Sequence, residues 1–104
     1  MAQFDIYRNP DEATRGEIPF LLDIQSDLLD PLATRVVVPL VAAEAMPKPA
    51  RHLNPVFEVE GRRVVMSTAE LAGVLRSRLG ERVGSLAHHR EEILRAVDFL
   101  LSGV

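Results

Sequence analysis

The chain has 104 residues, 47% hydrophobic and 26% charged, with a net charge of −3. That length holds one core, the balance is that of a folded chain, and the acidic excess argues against a bulk electrostatic grip on nucleic acid. The absence of cysteine excludes disulfide scaffolds, thiolate metal sites and cysteine nucleophiles. No apolar run approaches the roughly 20 residues of a membrane span. Met1-Ala2-Gln3-Phe4-Asp5 lacks the basic and apolar regions of a signal peptide, so a cytoplasmic location is expected.

Gln3 to Arg8 alternates, with Phe4 and Ile6 on one face, and reads as a half-buried strand. Asn9 to Gly16 is polar, with Pro10 and Gly16, and reads as an exposed loop. Pro19 to Gln25 reads as a second strand, with the proline at its start where a missing donor matters least. In Ser26 to Thr34, two aspartates flank Leu28 and Leu29, and Pro31 breaks any helix. Arg35 to Ala43 is dense in β-branched residues and is the clearest strand. Pro39 in its middle removes a ladder hydrogen bond and predicts an edge position or a bulge. Glu44 to Arg51, with Pro47 and Pro49, reads as irregular.

Asn54 to Glu60 and Arg62 to Met66 form a hairpin with Glu60-Gly61 in its turn. Ser67-Thr68-Ala69-Glu70 has capping-box spacing and predicts a helical turn reaching Gly73. Val74 to Leu79 reads as one more short strand, and Gly80 and Gly84 bracket the entry to the last element. Ser85 to Leu101 reads as a helix with Ser85 as its N-cap and Gly103 as its left-handed terminator. Leu86, Ile93, Leu94, Val97, Leu100 and Leu101 form its apolar stripe, opposite His88, Glu91, Glu92, Arg95 and Asp98. Five or more short antiparallel strands and one C-terminal helix predict a mainly β (β+α) fold, a small, partly open barrel closed by the helix.

No nucleophile–base pair or cofactor motif occurs, so no catalytic residue, cofactor or metal is expected. His88 and His89 are adjacent on the expected helix, about 100° apart, and cannot share a metal there, and His52 lies in the Pro-rich loop. Asp23, Asp27 and Asp30 with Ser26 could serve acid–base or cation chemistry, or satisfy turn amides with their own side chains, the commoner use of such residues. Arg62-Arg63 at the hairpin reads as a solubilising edge.

The segment Leu22-Asp23-Ile24-Gln25-Ser26-Asp27-Leu28-Leu29-Asp30, followed by Arg35-Val36-Val37-Val38-Pro39-Leu40, resembles the CcdB family of toxins. The likeness continues in order through Leu53-Asn54-Pro55-Val56, Met66-Ser67-Thr68, Gly80 and Leu86-Ala87-His88 to the terminal helix. The resemblance implies an SH3-like barrel of the CcdB/MazF kind, filling residues 1–104 as one domain, that forms a homodimer. It implies the toxin of a type II toxin–antitoxin system involved in plasmid maintenance, which binds the A subunit of DNA gyrase and traps its cleaved-DNA state. A cognate antitoxin with a disordered C-terminal tail neutralises it. The complex represses its own operon, with DNA contacts made by the antitoxin rather than the toxin. The resemblance places gyrase contacts at Leu28 and Leu29 and, on the helix end, at Asp98, Phe99, Leu101, Ser102, Gly103 and Val104.

Ser102 stands where the family carries tryptophan, whose loss from a buried interface removes a typical hot spot. Phe99, which projects among His88, Glu92 and Arg95, is the candidate to supply the missing aromatic surface, or else packs on its own barrel or across the dimer. Two alternatives follow: a relative that binds antitoxin but no longer poisons gyrase, and a MazF-like endoribonuclease, which would need a basic groove that the net charge disfavours. A homodimer is also expected on physical grounds, because an aliphatic open barrel leaves apolar surface uncovered. The contacts implied by resemblance are the Leu22 to Leu29 region and the second apolar face of the helix.

Overall fold

The computed structural model describes residues 1–103, and the terminal residue of the expected site, Val104, lies outside the described residues. Seven antiparallel strands curl into an open half-barrel closed by a C-terminal helix. The strands are β1 (Asp5–Arg8), β2 (Phe20–Asp23), β3 (Thr34–Ala42), β4 (Val56–Val59), β5 (Arg62–Met66), β6 (Ala72–Leu75) and β7 (Arg82–Ser85), and the helix is α1 (Arg90–Ser102). The sheet order is β4-β5-β3-β2-β1-β7, with β6 paired to β3.

Register explains the core. Ile6 lies opposite Leu22 and Leu22 opposite Val38, so three strands present one apolar row to the interior. Phe20, Leu40, Phe57, Val59, Val64 and Met66 extend it, and Ile93 and Ala96 of α1 close it from the other side. The alternate residues form a second buried face that contains Tyr7, Asp23 and Val37.

β1 begins two residues later than the alternation suggests. Phe4 has φ 73°, a turn geometry, while its buried ring still joins the core. β3 is neither an edge nor bulged at Pro39. It is the central strand, with β6 on Thr34–Val37 and β5 on Leu40–Ala42. Pro39 falls in the gap between those partners, where a missing N–H costs no ladder bond, and its carbonyl accepts from Ser67 N–H at 2.9 Å. The hairpin turn is as expected, with φ 51° at Glu60 and 76° at Gly61, the mirror-image geometry that matches strand twist.

The stretch from Ser67 to Arg90 departs most from expectation. The helical turn is a 3-10 turn over Thr68–Glu70, and β6 occupies Ala72–Leu75 in place of a strand over Val74 to Leu79. Ser67 and Glu70 bond to each other rather than capping the turn. β7 takes Ser85, so the helix starts at Arg90 after a 3-10 turn over Ala87–His89. Ser85 still accepts a hydrogen bond from Ala87 N–H, as a turn residue.

Gly80 passes close to β1, and a Cβ there would lie 2.5 Å from the Arg8 carbonyl oxygen. Gly80→Ala is expected to cost about 1–3 kcal/mol in urea unfolding. Gly73→Ala, with open space around it, is expected to change stability little. Equal effects of the two would remove close approach as the reason for glycine at Gly80.

Candidate functional site

Leu28 and Leu29 sit on a 3-10 turn over Asp27–Leu29, and Leu28 is 91% exposed. An exposed leucine is costly to order without a partner, yet polar groups hold this turn on every side. Ser26 Oγ accepts from Leu28 N–H at 3.2 Å, and Gln25 Nε2 donates to the Leu29 carbonyl at 3.1 Å. Asp27 Oδ1 accepts from Gln3 N–H at 2.7 Å. Asp23 Oδ1 accepts from Gln25 N–H at 3.0 Å, and Gln25 Oε1 from Val36 N–H at 3.0 Å. The acidic cluster of the sequence is thus used for turn amides and ion pairs. Among the described residues, no group of three or more His, Cys, Asp or Glu side chains could hold a metal ion.

Beneath the turn lies a buried ion pair. Arg35 and Asp23 are both fully buried, with Nε donating to Oδ2 at 2.8 Å. Nη2 lies 2.7 Å from the same oxygen as an ion-pair contact without hydrogen-bond alignment. Asp30 Oδ1 receives Arg35 Nη1 at 3.2 Å and Arg76 Nη2 at 3.1 Å. Burial outweighs the Gln25 N–H and the Arg35 partner and pushes the Asp23 carboxyl above the usual carboxylate value. The motif aspartates were visible in the sequence. Arg35 was visible at the head of its strand, but its pairing with Asp23 was not, and nothing singled out Arg76.

Tyr7 lies on the same buried face, its hydroxyl 3.4 Å from Asp5 Oδ2. Burial, then the nearby Asp5 and Asp23 carboxylates, push its phenol up to about 12. Because the folded value exceeds the unfolded one of about 10, the stabilisation from keeping Tyr7 neutral is full below pH 10 and is lost as pH rises through 12. The chain holds one tyrosine and no tryptophan, so alkaline absorbance titration reads this group alone. A midpoint near 10 in the folded protein would contradict its burial beside carboxylates.

The other expected contacts lie on the last turns of α1. Asp98, Phe99, Leu101, Ser102 and Gly103 are exposed, Leu101 by 74%. The expected stripe therefore ends before Leu101, and Ala96 joins it instead. Gly103 has φ 74° and donates its N–H to the Phe99 carbonyl, the expected left-handed stop. Ser102 Oγ donates back to the Asp98 carbonyl at 2.7 Å. Phe99, 36% exposed, has its ring 6.2 Å from that of His52, a residue with a positive φ of 69°. The Pro-rich loop thus comes to the helix end. His88 and His89 lie in the 3-10 turn rather than an α-helix, and their rings come within 4.3 Å instead of diverging.

The chain does not merge these two groups into one cluster. Gln3, which ties down Asp27, also accepts from Arg90 Nη1 at 3.1 Å, so the leucine turn is fastened to the first residue of α1. Leu101 lies at the far end of that helix, about 16 Å further along the axis. What the two groups share is exposed aliphatic surface, at two separate places on the molecule.

The family model described as CcdB protein matches residues 3–103. The chain belongs to the CcdB family. Membership in this family points to the toxin of a toxin–antitoxin pair, a protein that acts by binding other proteins. No helix among the described residues is long and apolar enough to cross a membrane.

Proposed function

We propose that this CcdB-family chain binds the A subunit of DNA gyrase as a homodimer in the cytoplasm and poisons the topoisomerase. In this reading a cognate antitoxin with a disordered tail removes it, and the toxin itself touches no DNA. The observation that carries the reading is the pairing of exposed Leu28–Leu29 on a braced turn with an exposed helix end at Leu101–Gly103, in a chain that matches the family over residues 3–103. The test adds purified protein to gyrase, plasmid DNA and ATP and follows linear DNA released on denaturation. Accumulation of cleaved DNA is expected. Its absence, together with failure to bind gyrase, sinks the reading.

One observation favours a second reading. Ser102 brings no indole to the helix end, and its hydroxyl is satisfied within the helix by Asp98. A protein that pairs with an antitoxin but leaves gyrase active would bind the antitoxin tail and give no cleaved DNA.

A further inference from the structure

We infer that Arg76 is a positioning residue for the Leu28–Leu29 turn: from the end of β6 it fixes the carboxylate that closes the loop carrying the docking leucines. The inference rests on reading that turn as a docking surface. The start of the loop is held by buried groups, through Asp23, Gln25 and Arg35. Its end is held by the Gln25 bond to the Leu29 carbonyl and by Asp30, whose side chain is 48% exposed. Arg35 gives Asp30 one hydrogen bond, because its Nε and Nη2 both lie against Asp23 Oδ2 and only Nη1 reaches Asp30, at 3.2 Å.

Arg76 supplies the second arm from 46 residues away, with Nη2 3.1 Å from the same Asp30 oxygen. Its own position is set by the backbone, since Arg76 N–H donates to the Ala33 carbonyl at 2.9 Å, extending the β3–β6 pairing by one bond. The two contacts grip both sides of the Pro31-Leu32 segment that returns the loop to β3. The Arg76 side chain is 36% exposed, so the ion pair adds little to global stability. Its effect is local: it keeps Leu28 and Leu29 ordered before a partner arrives, which lowers the ordering cost of binding.

The experiment compares wild type, Arg76→Ala and Arg76→Lys by amide hydrogen exchange and by dissociation constant for the A subunit of gyrase. In Arg76→Ala the amides of Leu29, Asp30 and Leu32 are expected to exchange about fivefold faster while core amides are unchanged, the size of a lost half-exposed ion pair. Arg76→Lys recovers most of the protection, and about 1 M salt shrinks the difference between wild type and Arg76→Ala. Gyrase affinity falls about fivefold in Arg76→Ala, and this loss disappears when Leu28 and Leu29 are already alanine. Unchanged exchange in the loop, or faster exchange spread evenly over the chain, overturns the inference whatever gyrase does. Faster loop exchange in a protein that never binds gyrase upholds the positioning role and sinks the proposed target instead.

Discussion

Replacing Arg35 by methionine is expected to destabilise the protein by about 3–5 kcal/mol, the cost of leaving a buried charge without its partner. Arg35 and Asp23 are both fully buried, and the substitution strands Asp23 and also removes one arm from Asp30. A domain of this size has about 5–15 kcal/mol in all, so the variant sits near its unfolding limit. The loss has a pH signature. Burial already holds the Asp23 carboxyl above its usual value, and Arg35 is among the influences that lower it. Without Arg35 the folded value climbs further above the unfolded one. The protonated form then favours folding, so the deficit is smallest below the unfolded carboxylate value near 4 and grows as pH rises through the folded value. Urea unfolding at pH 4 and pH 7 checks this. A deficit that is the same at both pH values would mean that Asp23 is not the group left stranded. The double variant Arg35→Met with Asp23→Leu is expected to recover much of the stability, because apolar replacement of a buried pair is often neutral or better.

Much of the architecture was legible because local signals and tertiary packing agree. Glu60-Gly61 demanded a mirror-image turn, and both residues have positive φ. The alternation in Phe57-Glu58-Val59 became buried, exposed, buried. The failures have identifiable causes. Pro39 looked like an edge residue because a sequence cannot show that two different strands share one side of β3 and leave a gap between them. β7 was hidden because Arg82-Val83-Gly84-Ser85 carries one apolar side chain, and its pairing with β1 is made by backbone groups. The capping signal at Ser67 does precede a short 3-10 turn, whereas the one at Ser85 pointed to a helix start and pairing with β1 drew that residue into β7 instead. Leu28 and Leu29 could be picked out through family likeness. Their support could not, since Gln3, Arg35 and Arg76 reach the loop only after folding.

Deleting Ser102 to Val104 is expected to abolish gyrase binding, a loss above about a hundredfold, while leaving the fold intact. The structural half of this expectation follows from exposure. Ser102 and Gly103 are exposed and contribute a hydroxyl bond to Asp98 and a left-handed cap, while the residues of α1 that pack on the core, Ile93 and Ala96 fully buried and Leu94 and Val97 partly so, all precede them. Loss of the cap costs a few tenths to about 1 kcal/mol, a thermal shift of a few degrees at most. The functional half follows from what the end presents: Leu101 is 74% exposed beside a glycine that lets a partner backbone approach closely. Ser102→Trp is then expected to raise affinity by restoring a large amphipathic surface. Phe99→Ala lowers it, because the ring now resting beside His52 is the aromatic surface nearest the helix end. The measurement is the dissociation constant for the A subunit of gyrase, taken with thermal stability and with affinity for the antitoxin tail. If the truncated chain binds gyrase as tightly as the full one, the helix end is not the docking surface. If neither binds gyrase while both hold the antitoxin, Ser102 marks a relative that kept its antidote and lost its target.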